Sequence, residues 1–271
     1  MDTNAVYLSV KAFADEHYNK KSDYEFIVSQ ETQQTEIHRL KKGIRQEQFF
    51  IIIDLLNFKI IDHGGLEEFG FDSKTFSLKT YFQMIPSKGI TSLLQLLGEQ
   101  TFLKAKSHLM AFLKPSFIVQ IPMKFKHEED VHFLVKRTIS PWQITKCGKI
   151  TAYVAEFTVI KTYDFEPLNP RIKDLPEEYS NLILREFNRN FNQLKPADNP
   201  FSPRELLILK EYVNGARSSK DLAESQGLKI NTINSYNKNI LEKAKQLFGE
   251  DLPLYTALDV AKFMSKQGLL K

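Results

Sequence analysis

Between Phe201 and Phe248 the chain spells out its own helix boundaries, and few folds satisfy them. Ser202-Pro203 is a helix start: a hydroxyl that accepts from early amides, then a residue with no amide to satisfy. Leu206, Leu207, Leu209, Tyr212 and Val213 form an apolar stripe for a first helix, which Asn214-Gly215 ends. Ser218 or Ser219 caps a short second helix, Lys220–Ser225, with Leu222 and Ala223 facing inward. Gly227 makes the tight turn, because glycine takes positive φ at little cost. Asn231 is expected to cap a third helix running to about Phe248. Its inner face is Ile233, Ile240 and Leu241, then Ala244 and Leu247; its outer face is Asn234, Ser235, Asn237, Lys238 and Lys245. A fourth helix, Thr256–Lys266, carries Ala257, Val260, Ala261 and Met264 on one side and stops at Gly268.

Two short helices, a glycine turn and a third helix with a polar, basic outer face form a helix-turn-helix. Such a third helix fits the DNA major groove, about 12 Å wide, and its N-terminal half reaches base edges. The stretch resembles the LuxR-type DNA-binding domain. The resemblance is carried by SPRE (Ser202–Glu205), Leu206 and Leu209, Asn214-Gly215, SSKDLA (Ser218–Ala223), NTINSY (Asn231–Tyr236), NIL (Asn239–Leu241) and GLL (Gly268–Leu270). It implies binding of double-stranded DNA, usually by a dimer on a pseudo-palindromic site, with the last helix forming the dimer contact. Carried over by position, Asn234, Ser235 and Lys238 are the groove candidates. Lys220, Thr232 and Asn239 are the phosphate candidates, with Arg204 and Lys245 as further ones. Asn234 stands where the family usually has lysine, and Tyr236 where it often has histidine. An asparagine can still read adenine through N6 and N7. Gly249–Tyr255 is a longer link between the last two helices than the family's. Glu205, acidic and near a helix start, is expected to cap or pair inside the domain rather than touch DNA.

The front of the chain reads differently. Residues 1–48 are helical in pattern: Ile27 and Val28, then Ile37, Leu40 and Ile44, recur at helix-like spacing among polar residues. So narrow an apolar stripe needs a partner, which is either its own domain or a second copy of the chain. From 49 to 163 the order is mixed. FFIIID and KIIDH make a hairpin around Leu55–Phe58; LEEFG, FSLKTYFQMI and a long amphipathic run from about Thr91 to Phe112 are helical. Phe117–Phe125, His132–Ile139 and Ala152–Lys161 then alternate as strands. Strands, helices and strands again predict an antiparallel sheet with flanking helices, an α+β domain. This order, with the opening FFIIIDLLNFKIIDHGGLEEFGFD, is similar to a PAS sensor domain. Residues 164–199 read as a linker. It has proline-rich ends at Asp164–Pro176 and Lys195–Pro203, and a connecting helix striped with Tyr179, Leu182, Ile183, Glu186, Phe187 and Phe191. Residues 200–271 are the all-α, four-helix DNA-binding domain.

Of the 271 residues, 42% are hydrophobic and 26% charged, enough to bury cores and too ordinary for a disordered chain. The net charge of +4 permits a nucleic-acid partner without requiring one. Cys147 is the only cysteine, so no internal disulfide forms, and a reducing cytoplasm is expected. Neither a transmembrane run nor a signal peptide is evident, so no membrane partner is expected. No phosphate loop, dinucleotide motif, zinc-protease motif or nucleophile elbow is present, which points away from an enzyme and from a metal or cofactor. His63 reads as a turn residue and His108 as an ordinary helix residue; Cys147 lies in a KCGK turn, unlike the cysteine of light-sensing flavin domains. Phe117, Phe125, Phe133 and Phe157 are expected to face the interior, where they line a pocket or fill a solid core. The resulting expectation is a cytoplasmic, homodimeric transcriptional regulator whose PAS-like domain senses a small molecule or a partner protein. The alternative makes that domain a ligand-free dimerisation or interaction module.

Overall fold

A computed structural model gives the fold and describes residues 3–18, 24–86, 98, 116–193, 201–250, 252–267 and 269–270. The long helical run expected from Thr91 to Phe112, and His108 within it, lie outside the described residues. The chain divides into two compact units, one of residues 1–162 and 168–190 and one of residues 163–167 and 191–271.

The first unit is built on an antiparallel sheet. The β-branched run Gln48–Asp54 forms β1 and Lys59–Gly64 forms β2. Between them Asp54 accepts from the Leu56 amide at 2.8 Å and the Asn57 side chain at 2.7 Å, which closes the hairpin. A single 3-10 turn at Glu67–Phe69 and a short helix, α3 (Leu78–Gln83), come before the second group of strands. These are β3 (Ser116–Phe125), β4 (Glu128–Ile144), β5 (Ile150–Thr162) and β6 (Arg171–Lys173). The six strands lie in the order β2-β1-β5-β4-β3-β6, so the first strand pairs with the fifth along its whole length.

β4 extends five residues beyond the expected end at Ile139, even though it contains Pro141. The ladder slips register between Pro141 and Gln143, and such a bulge is where a strand tolerates proline. β6 comes from a stretch read as linker. It is an edge strand pairing only with β3, the kind of strand that proline-rich sequence can supply.

All five residues Phe49–Ile53 of β1 are buried, so both sheet faces are covered here. On one face Phe50, Ile52 and Val154 meet Ile37, Leu40 and Ile44 of helix α2 (Gln30–Gly43), with Trp142 beside them. The polar N-terminal helix therefore packs on its own domain. Ile27 and Val28, read as helical, lie instead in a bend before α2, tied to β4: the Ile27 amide donates to the Ile144 carbonyl at 2.9 Å, and Gln143 Nε2 donates to the Val28 carbonyl at 3.0 Å. A separate helix, α1 (Thr3–His17), sets Tyr7 against Phe58 and Phe82.

The other face holds the aromatic core. Phe49 stacks on Phe157 with ring centres 4.2 Å apart, and Phe69 and Phe125 complete the cluster. Phe117, Phe125 and Phe157 are buried as expected, whereas Phe133 is only half-buried at the margin of the cluster. A further helix, α4 (Glu177–Gln193), begins in this unit, and its Ile183 is fully buried. The side chains expected to extend its stripe, Glu186, Phe187 and Phe191, lie outside those described.

Candidate nucleic-acid interface

The second unit contains α5 (Pro203–Val213), α6 (Ser219–Gln226), α7 (Ile230–Phe248) and α8 (Ala257–Lys266). Their starts follow the sequence signals closely in three cases. Ser202 accepts from the Glu205 amide while the Glu205 carboxylate accepts from the Ser202 amide, a reciprocal cap. Ser218 and Asp221 do the same for α6, and Thr256 and Asp259 for α8. Gly227, at φ +62°, closes α6 in the left-handed region and turns the chain into α7.

α7 departs from expectation at its start. It is preceded by Lys229, whose side chain makes no capping bond; Asn231 lies inside the helix, exposed, and does not cap it. The buried residues of α5 are Ile208, Leu209 and Tyr212, with Glu205. Leu207 and Val213, read as part of the apolar stripe, are exposed.

Glu205 is 2% exposed, and the Lys243 ammonium lies 2.7 Å from its carboxylate. Burial alone would raise this carboxyl, but Lys243 and the Ser202 amide outweigh it and hold the group below the usual glutamate value. This internal pair ties α5 to α7, in keeping with the structural role expected for Glu205. Asn237 was read as an outer-face residue. It is half-buried, and its amide donates to the Tyr212 hydroxyl at 2.8 Å and to Ser219 Oγ at 3.2 Å. One side chain thus joins α7 to both shorter helices. A polar residue at that spacing has no sequence signature separating it from its solvated neighbours.

With the inward side of α7 fixed by Ile233, Ile240 and Ala244, the remaining polar residues fall on one outward arc. Asn234, Ser235, Lys238 and Asn239 are exposed along it, with Thr232 at its edge in the first turn. Ser235 Oγ donates to the Asn231 carbonyl at 3.0 Å, and Lys238 faces Glu242 at 3.9 Å, an exposed pair one turn apart. Lys220 is exposed in the first turn of α6. Arg204 and Lys245 are half-buried, and Lys245 sits in the last turn of α7, remote from the N-terminal half. Sequence reading passed over Ile230, which is 47% exposed at the first position of α7.

The link between α7 and α8 is anchored by Leu252 and Leu254, both buried. Residues Tyr163–Pro167 also belong to this unit. Phe165 meets Phe263 of α8, and the Lys266 ammonium binds the Asp164 carboxylate at 2.6 Å.

Short helix, left-handed glycine turn and long helix with an outward polar arc define a helix-turn-helix of the DNA-binding class. Residues 199–245 match the family of bacterial regulatory proteins, luxR family, and this segment is a LuxR-type domain. No curated protein matches the chain. Solved structures it is similar to include a phage VqmA–DPO complex, at 14% identity over 88% of this chain and 90% of the other, TM-score 0.29. A Vibrio cholera VqmA–ligand–DNA complex is 15% identical over 88% and 92%, TM-score 0.29. Escherichia coli SdiA is 13% identical over 100% of both chains, TM-score 0.26. No described helix is long and apolar enough to cross a membrane.

Proposed function

We propose that this chain is a sequence-specific, DNA-binding transcriptional regulator that acts in the cytoplasm and is not an enzyme. The DNA-binding part is residues 200–271. Residues 49–163 are a PAS-like sensor that needs no bound cofactor, and 164–199 connect the two. The observation that carries the reading is the division of α7 into an inner side docked on α5 and α6 and an outer polar arc, within a LuxR-type segment. Asn234, Ser235 and Lys238 enter the major groove, and Lys220, Thr232 and Asn239 hold phosphates. Ile230 joins the groove set, since an exposed apolar side chain there suits a thymine methyl. Arg204 and Lys245 rank below them because both are half-buried. Two copies of the chain, meeting through α8, read two half-sites. The PAS-like reading is supported by a strand pair, a short helical stretch and three long strands closing into one antiparallel sheet with β1 beside β5.

The test is selection of duplexes from a randomised pool by the full chain. Enrichment of a sequence with two-fold symmetric halves is expected, and its binding should weaken steeply with salt. Lys238→Ala should reduce the affinity roughly tenfold with the fold intact. A chain that enriches no sequence and binds no duplex at low salt would sink the proposal.

A further inference from the structure

Inside the first unit a positive charge is buried with no ion-pair partner among the described residues. Arg137 lies on β4, opposite Val119 of β3 and Phe157 of β5, and is only 6% exposed. Its side chain points to the aromatic face, where its guanidinium carbon lies 5.7 Å from the centre of the Tyr81 ring. Its Nε is buried and has no hydrogen-bond partner, and neither has the Tyr81 hydroxyl. Among the described residues no carboxylate forms an ion pair with it. A guanidinium cannot shed its proton under any condition a cell offers, so this charge persists. An aromatic face offsets part of the cost of burying it, but not all.

The surroundings specify what would complete the site. Burial raises the Tyr81 and Tyr153 phenols, though Arg137 pulls both down, so at neutral pH both are uncharged donors. Among the described residues the polar groups are thus one cation and two hydroxyls, with no anion. Phe157 lies against Tyr81, ring centres 5.7 Å apart, and offers an apolar wall. Tyr153, half-buried on β5, stands on the same side of the strand as Phe157.

We propose that this inner face binds a small monocarboxylate with a flat apolar body, its two oxygens on the Arg137 fork and its body against Phe157. A single guanidinium balances a single negative charge, so a carboxylate suits it better than a doubly charged phosphate. The assignment rests on the sensing role proposed above for residues 49–163 and names the class of ligand sensed.

Thermal unfolding of the full chain tests it, with phenylacetate and a graded series of aryl and alkyl carboxylates, each beside its neutral amide. At about a hundredfold the dissociation constant, a carboxylate of the series should raise the melting temperature by roughly 5–10 °C. Its amide should do far less. Arg137→Met, which removes the unpaired charge, should melt no lower than the parent without ligand and should lose the response. Arg137→Lys, which keeps the charge but not the fork, should fold and retain under a third of the shift. Equal shifts with amide and carboxylate would overturn the proposal, as would an undiminished response in Arg137→Lys. So would a strongly destabilised Arg137→Met, the mark of a purely structural arginine. Silence from every carboxylate also overturns it. If a neutral metabolite then raises the melting temperature, the sensing role stands and only the anion assignment falls; if no small molecule does, both fall.

Discussion

The two units handle polar side chains in opposite ways. In the helical unit the buried polar side chains named above pair with one another: Glu205 meets Lys243 and Ser202, and the Asn237 amide nitrogen meets Tyr212 and Ser219, leaving its Oδ1 as the one of their atoms without a partner. The candidate DNA contacts project outward from that cross-linked interior. In the sheet unit Arg137 is buried beside Tyr81 with no carboxylate paired to it among the described residues. The difference separates two kinds of functional residue. Outward contacts are idle in folding, so their removal should change binding alone. An inward site shares its atoms with the core, so function and stability change together there.

The largest effect should come from the shared core. Phe157, 1% exposed and stacked on Phe49, forms both the aromatic cluster and the wall beside Arg137. Phe157→Ala should cost about 3–5 kcal/mol in urea unfolding. A cost under about 1 kcal/mol would show that the sheet core is more loosely coupled to its inner face than the comparison holds.

Next comes the internal pair. Glu205→Ala should cost about 1–3 kcal/mol, since it strands Lys243 and leaves the Ser202 amide unpaired. The sign of the pH effect follows from the lowered carboxyl. Its stabilising contribution is complete above the ordinary glutamate range and is lost as pH falls through the folded-state value. Helical unfolding of the parent in mild acid, followed by circular dichroism, should therefore steepen relative to Glu205→Gln.

Gly227→Ala should cost about 1 kcal/mol. The added Cβ meets nothing within 4 Å, so the penalty comes from the left-handed backbone alone. A neutral result would mean that the turn relaxes without disturbing α7. Smallest of all, Lys238→Ala should leave the melting temperature unchanged while weakening duplex binding. A shift of several degrees would erase the distinction between outward and inward sites.

The same contrast explains what could be read from sequence. Helix starts in the second unit were legible because Ser202 with Glu205 and Ser218 with Asp221 act within four residues of one another. Tyr212 with Asn237 was not, because it joins positions 25 apart. In the first unit the strands β1, β2, β3 and β5 could be found from alternation and β-branched runs. The bulge that carries β4 past Pro141 depends on how β5 pairs with it, and β6 on what β3 offers at its edge. The burial of Arg137 was hidden for the same reason. HFLVKRTIS alternates like a surface strand, and only its neighbours on β3 and β5 decide which face is inside.

Three helices of the second unit begin with reciprocal caps, whereas α7 begins with none. The Lys229 carbonyl accepts from the Thr232 amide at 2.9 Å, but no cap side chain serves the leading amides, and they sit at the positive end of the helix dipole next to Lys229. Left alone, that turn is the one most prone to fray. Contact with a negatively charged oxygen would knit it up. Deuterium uptake at Ile230 and Asn231 should thus slow on complex formation more than at any other turn of the four helices, which makes the opening of α7 a built-in reporter of engagement.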